Sequence, residues 1–332
     1  VIVDAPANSP WNQPLLAARR KDLTKPGPRD KAEEIDPKSV RVCLDTRHIN
    51  RILPAMGLRV PVITEVFERL QGFSVVSELD LRESYTQFVV KKRDQVKLTF
   101  TWRNRRYMFA GAPYGLKMMT QKFQGTMQVI FAGQDFVVVY VDNLIVATFG
   151  DPSGHPGHVL EAIEVLNVNN LRLNALKCKF GYLRIRTLGH IIDKDGRRRD
   201  PKKVQVLGDI PRPTSGKQVQ ALLGFVNYLR DYVPLYAALA APLERLRSVK
   251  QISQDEWTDD CEESFLGFRR ILAAAPILEF PKDGEQYILA TDASQSAVGC
   301  VLMQIYGGRE HYIGFASKAL NSGQRNYPAT RR

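Results

Sequence analysis

The sequence predicts an α+β fold in two or three domains. Three observations carry this. With 332 residues the chain exceeds what one small core organises. Runs rich in β-branched and aromatic residues, FSVVSELD (Phe73–Asp80) and FVVVYVDNLIVAT (Phe136–Thr148), have strand composition. Elsewhere apolar residues recur at helical spacing, as at Val219, Leu222, Leu223 and Val226.

In chain order, residues 1 to about 60 are basic and irregular. One strand ends at Arg19-Arg20-Lys21-Asp22 and another spans Val40 to Asp45; the intervening TKPGPRDKAEEIDPKS is charged and Pro-rich, a loop. VPVITEVFERLQG is helical, with Val62, Val66, Phe67 and Leu70 on one face and Gly72 as its stop. The strand bearing Asp80 follows. Phe88-Val89-Val90, Lys97 to Trp102 and Arg106 to Phe109 read as further strands. Phe136 to Thr148 is a hairpin: two apolar runs flank the tip Val141-Asp142-Asn143, where Asp-Asn favours a tight turn. A carboxylate there is placed as rigidly as a metal ligand must be; a polar turn with no further role is the alternative.

Residues 157 to 174 form a helix through Val159, Ile163, Leu166 and Leu171. His155 and His158, in GHPGH, read as residues of a Gly/Pro loop. The basic run Lys194 to Lys203 is a loop, either facing phosphate or merely solvated. Thr214-Ser215 opens a helix whose apolar face runs through Leu229 and Val233 until Pro234 stops it. Residues 250 to 283 are an acidic, Trp-containing connector and helix ending at Pro276 and Pro281. YILATDASQSAVGCVLMQ is strand, turn and strand, and HYIGFASKAL a third strand.

The net charge of +12 suggests a polyanionic partner, since Lys and Arg that neutralise phosphates release counterions. No run of 18 apolar residues is present, so no membrane span is expected. The start, VIVDAPANSPWNQP, lacks the layout of a signal peptide and reads like the middle of a longer polypeptide. Cys43, Cys178, Cys261 and Cys300 have neither zinc-finger spacing nor the density of a disulfide scaffold, which fits a reducing intracellular setting.

Asp80 and Asp142 stand on separate strands, and two such carboxylates suit Mg²⁺, a hard cation that prefers oxygen ligands. The residues around them resemble a family. SPWNQP (Ser9 to Pro14), RVCLDTRHIN (Arg41 to Asn50), ELDLRESY (Glu78 to Tyr85), GAPYGL (Gly111 to Leu116), YVDN (Tyr140 to Asn143), KCKFG (Lys177 to Gly181), LGH (Leu188 to His190), LLGFVNYLRDYVP (Leu222 to Pro234) and ATDAS (Ala290 to Ser294) follow one another in order. Together they resemble the reverse transcriptase of gypsy-type long-terminal-repeat retrotransposons, with the opening of a ribonuclease H domain.

The resemblance implies a right-hand polymerase fold. Fingers and palm would occupy 1–192, the thumb 193–248, a connector 249–283, and an incomplete ribonuclease H-like sheet 284–332. It implies nucleotidyl transfer to a primer 3′-hydroxyl on an RNA template, with two Mg²⁺ (or Mn²⁺) held by Asp80, Asp142 and the carbonyl of Leu81. It puts Arg20 or Lys21, with Arg41, at the triphosphate of a deoxynucleotide, Tyr85 under its sugar as a wall against a 2′-hydroxyl, and Tyr114 in the nucleotide-binding turn. Leu188, Gly189 and His190 match the primer grip; Lys217, Gln218, Gly224 and Asn227 are placed to meet the template–primer or RNA–DNA hybrid. Asp292 matches the first ribonuclease H acid; the next would lie on a helix starting at YPATRR, so this span is not expected to cleave RNA. The remainder of a Pol polyprotein is the implied partner, in a cytoplasmic virus-like particle or the nucleus.

Four departures stand against the pattern: the long insert between the first two strands, Tyr114 in place of Phe or Gln, the Lys117-Met118-Met119-Thr120-Gln121 stretch where small residues and a Pro are usual, and above all Asn143 in place of a second Asp. Losing one unit charge at ~4 Å from a cation removes roughly 4 kcal/mol of attraction at an effective dielectric near 20. Two expectations follow: a working or weakened RNA-directed DNA polymerase, or an inactive relic that still binds nucleic acid.

Overall fold

The computed structural model describes residues 2–19, 40–54 and 57–327. Contacts divide the chain into two units, residues 1–69 with 75–182, and 70–74 with 183–332. Arg20, Lys21 and the long insert lie outside the described residues.

The first unit opens with β1 (Ile2–Asp4), β2 (Leu15–Arg19), β3 (Val40–Leu44), α1 (Arg47–Ile52), α2 (Ile63–Arg69) and β4 (Phe73–Asp80). It continues through α3 (Lys92–Gln95), β5 (Thr99–Trp102), β6 (Arg105–Phe109), α4 (Met119–Ile130), β7 (Val137–Tyr140), β8 (Asn143–Phe149), α5 (His155–Val168) and β9 (Lys179–Tyr182). β2 pairs antiparallel with β3, and β6 lies between β1 and β5. A four-stranded sheet in the order β7-β8-β4-β9 forms the palm-like part. Its middle strand β8 is buried from Leu144 to Thr148, as its unbroken apolar run requires. Phe123 and Met127 of α4 and Val159, Ala162 and Leu166 of α5 pack with Leu79, Val139 and Val146 of this sheet.

Several expected elements differ. Phe88-Val89-Val90 makes a single bridge, Val89 with Gly111, closed by Val90 N–H to Ala110 O (2.8 Å) and Ala112 N–H to Phe88 O (2.9 Å). The helix expected over residues 157 to 174 is α5, which ends at Val168, and Leu171 is buried beyond it. His155 and His158 belong to that helix, which starts at His155 with Pro156 in its first turn, where a missing N–H costs nothing. His155 is buried, its Nε2 2.7 Å from Ser77 Oγ and its Nδ1 2.7 Å from Thr148 Oγ1; His158 Nδ1 is 2.8 Å from the same hydroxyl. Met119 is buried and Met118, half-buried, sits just before the first residue of α4, so Met-Met does not disturb the helix.

The second unit runs β10 (Arg184–Thr187), β11 (His190–Asp193), β12 (Gly196–Arg199), α6 (Pro201–Asp209), α7 (Gly216–Asn227), α8 (Tyr236–Glu244), α9 (Asp259–Ala274), β13 (Leu278–Glu279), β14 (Tyr287–Ala293), β15 (Ala297–Tyr306), β16 (Arg309–Ala319) and α10 (Ser322–Arg325). β10 to β13 form one antiparallel sheet and β14 to β16 another. The basic run expected as a loop holds strand β12 and the start of α6. Arg197 pairs with Asp231, Arg198 with Asp193, and Arg199 donates to the carbonyls of Ala273 and Ala275. Its arginines are spent inside the fold. The helix opened by Ser215 ends at Asn227, and a 3₁₀ turn at Arg230–Tyr232 carries the apolar face on, so Leu229 and Val233 are buried all the same. No described helix is long and apolar enough to cross a membrane.

Candidate active site and nucleic-acid interface

The β7–β8 register pairs Tyr140 with Asn143, which leaves a two-residue turn, Val141-Asp142. Asn143 therefore begins β8 instead of sharing the tip. Val141 has φ 53°, a left-handed value that a β-branched residue adopts only when its surroundings impose it. Gln124 of α4 imposes it here. This amide is fully buried; its Nε2 donates to the carbonyl of Val139 (3.0 Å) and its Oε1 accepts from the N–H of Val141 (2.6 Å). Sequence reading overlooked Gln124, since a glutamine in a helix reads as solvated; its place among Phe123 and Met127 was the available signal.

Asp80 ends β4, the neighbour of β8. Its N–H donates to Cys178 Sγ (3.4 Å), and its carbonyl accepts from the N–H of Asn174 (2.8 Å). Burial pushes its carboxyl above the ordinary value; Lys177 opposes this, and Asp142 and Glu78 push it further up. The action of Asp142 on Asp80 places the two carboxylates within each other's field. Leu81 is buried and bridged to Leu173. Among the described residues no group of three or more His, Cys, Asp or Glu side chains is arranged to hold a metal ion; the palm carries a pair. Two hard, mutually repelling carboxylates fit a divalent cation, whose charge would relieve that repulsion.

The Tyr85 ring is fixed by Tyr114 (centroids 5.5 Å) and Phe123 (5.6 Å), with its hydroxyl 3.3 Å from Thr120 Oγ1. Tyr114 also lines a cavity of about 270 Å³ with Asp45, Arg47, Asn50 and Gly115. Asn50 holds the nucleotide-type turn at both ends, donating to Gly115 O (2.8 Å) and accepting from Lys117 N (3.0 Å). Arg47 clamps Asp45 bidentately and holds its carboxyl down at about 2. Arg41 lies on β3 opposite Ala18, but its side chain is outside what is described.

In the second unit, Leu188 and Gly189 are the turn between β10 and β11, with φ 48° and 67°. The Tyr228 hydroxyl donates to Leu188 O, and the Lys203 ammonium lies 3.7 Å from the Tyr228 ring centroid. His190 faces inward: it is 3% exposed, with Nδ1 3.0 Å from the Tyr232 hydroxyl. Burial, then Arg197 and Lys203, pull it down to about 3. Leu188 and Gly189 form the turn; the imidazole belongs to the core.

On α7, Lys217, Gly224 and Asn227 are exposed, and the unforeseen Gln220 falls in the same stripe at spacings of three and four. Gln218 lies off it, its amide accepting from Thr214 N (2.7 Å). Nothing in the fold comes within 4 Å of a Cβ built at Gly224. Asp292, exposed on β14, is the one carboxylate lining an open cavity of about 620 Å³.

A family profile described as "Reverse transcriptase (RNA-dependent DNA polymerase)" matches residues 24–208, and one described as "RNase H-like domain found in reverse transcriptase" matches 257–332. The chain is 30% identical, over 97% of its length, to the Retrovirus-related Pol polyprotein from transposon opus of Drosophila melanogaster, of which that match covers 32%. It is 27% identical, over 87% of its length, to the Transposon Tf2-7 polyprotein of Schizosaccharomyces pombe, covering 22% of that protein. The chain thus spans less than a third of the length of these relatives. In fold it is similar to the foamy viral protease-reverse transcriptase solved with double-stranded DNA (TM-score 0.84, 19% identity, 100% of this chain and 55% of that one). The same holds for that enzyme with an RNA/DNA hybrid (TM-score 0.80, 19% identity, 99% and 42%).

Proposed function

Because this chain belongs to the reverse transcriptase (RNA-dependent DNA polymerase) family, we infer that it extends a primer on an RNA template as part of a retrotransposon Pol polyprotein. The observation that carries the reading is the pair Asp80 and Asp142, brought into mutual electrostatic reach by a strand end and a hairpin turn. Reverse transcriptases generally use divalent metal. When bound, two Mg²⁺ would lower the pKa of the primer 3′-hydroxyl and neutralise the leaving pyrophosphate.

This chain's residues do the positioning. Asp80 and Asp142, with the carbonyl of Leu81, would hold the ions; Gln124 fixes the turn on which Asp142 sits. Tyr85, immobilised between Tyr114 and Phe123, would be the wall against a 2′-hydroxyl. Arg41, with Arg20 or Lys21, meets the triphosphate. The turn at Leu188-Gly189 bears on the primer end, and the stripe Lys217, Gln220, Gly224 and Asn227 on the duplex. Asn143 contributes an oxygen without a charge, so catalysis proceeds below the rate a second carboxylate would give. Asp292 is the one carboxylate lining its cavity, and we assign no RNA cleavage to this span.

Primer extension on an RNA template with Mg²⁺ and deoxynucleotides tests this, with Asn143→Asp and Asp142→Ala run alongside. The native chain should extend, Asn143→Asp should extend at least tenfold faster, equivalent to about 1.4 kcal/mol, and Asp142→Ala should not extend. Absence of extension by both the native chain and Asn143→Asp, with duplex still bound, would establish a binding relic instead.

A further inference from the structure

The hairpin of β5 and β6 ends in a feature the polymerase reading does not use. Its register pairs Trp102 with Arg105, so the turn is Arg103-Asn104, at φ 47° and 61°. Two successive left-handed residues make a primed turn, the kind that matches strand twist and ordinarily takes Asn-Gly. Arginine as its first residue is conformationally costly. Just before it, Trp102 is 56% exposed. Trp11 is only partly exposed and Trp257 is buried against Phe265.

The Arg103 guanidinium carbon is 5.9 Å from the Trp102 ring centroid, and that of Arg105 is 5.8 Å from the Tyr107 ring. Arg105 approaches Asp4 at 3.7 Å, with both side chains more than 70% exposed; among the described residues no carboxylate pairs with Arg103. An indole left in water contributes little to folding. A rigid tip that presents an aromatic plane beside two cations has the chemistry that binds unpaired bases: the ring stacks on a base whatever its identity, and the guanidiniums meet the adjoining phosphates. The charge of +12 draws the strand in.

We propose that the Trp102–Arg105 tip is a stacking subsite for single-stranded nucleic acid, taking one base on Trp102 with Arg103 and Arg105 at the flanking phosphates. The polymerase reading supplies the strand, the unpaired stretch of a template; the stacking itself needs neither metal nor catalysis.

The test is binding of a fluorescein-labelled 20-nucleotide RNA without secondary structure to the whole chain, without Mg²⁺ or nucleotides, beside a blunt duplex of equal length. Trp102→Ala should weaken the single strand about tenfold, the loss of one base stack. Trp102→Phe should keep most of the affinity, Arg103→Ala should lower it and flatten its salt dependence, and the blunt duplex should bind all variants alike. Unchanged single-strand binding by Trp102→Ala overturns the proposal, as does an equal loss on the blunt duplex. Failure of both the native chain and Asn143→Asp to extend a primer would overturn the polymerase reading and leave this result standing.

Discussion

At the scale of single residues, Gln124 and His190 show what burial does to a polar side chain. Gln124→Leu would leave the Val141 N–H without its partner and release a left-handed valine from its clamp. The penalty for an unmet buried group is about 1–3 kcal/mol, so kcat of primer extension should fall ten- to a hundredfold while the Kd for duplex stays constant. Steady-state kinetics beside a binding isotherm check it. His190 is held neutral down to about 3, whereas an unfolded histidine titrates near 6.5. The unfolded state therefore takes up a proton that the native state refuses. The stability is present above 6.5 and lost as pH falls toward 3, at about 1.4 kcal/mol per pH unit. His190→Gln should flatten this slope in urea titrations at pH 7, 6 and 5. The aspartates were legible in sequence because their neighbours had strand composition. The burial of Gln124 and His190 was not, because spacing says nothing of which polar group a core closes over.

At the scale of elements, α7 separates packing from recognition. Its buried face is periodic, and the sequence alone identified it; where the helix gives way to a 3₁₀ turn could not be read, since the apolar spacing continues through it. Gly224 sits on the opposite face with open space where a Cβ would go. Glycine inside a helix is less stable than alanine by about 0.5–1 kcal/mol, and no contact in the fold explains its presence. Gly224→Ala should raise the urea midpoint yet weaken template–primer binding several-fold; a gain in stability with unchanged binding would remove Gly224 from the interface. Strand β12 teaches the converse. A basic run looks solvated in sequence, but its arginines face Asp193, Asp231 and two helix-end carbonyls, a matter of tertiary pairing.

At the scale of the whole molecule, the excess of cations is a statement about association. If the chain binds duplex through its phosphates, log K should fall linearly with log salt, with a slope of about 0.9 per phosphate neutralised. Lys217→Ala should reduce that slope by about one without altering sequence preference, measurable by anisotropy from 50 to 300 mM salt. Arg198→Ala, whose charge is already spent on Asp193, should leave the slope as it is and lower stability instead. The overall α+β class was legible because strand and helix periodicities differ so plainly. The division after Tyr182 was not, because KFGYLRIRT reads as one continuous run although β9 and β10 belong to different sheets.

Behind the carboxylates, Gly181 N–H donates to Ser77 Oγ (3.0 Å), Ser77 meets His155, His155 meets Thr148, and Thr148 meets His158. Burial, with His158 nearby, pulls His155 below its usual range, so at neutral pH its ring has one hydrogen to give. Each hydroxyl likewise has one. When all are used, every link points the same way, and turning one turns them all. One hydrogen-bonded chain thus runs from His158, on the half-exposed face of a helix, to Ser77, three positions from Asp80 on the same strand.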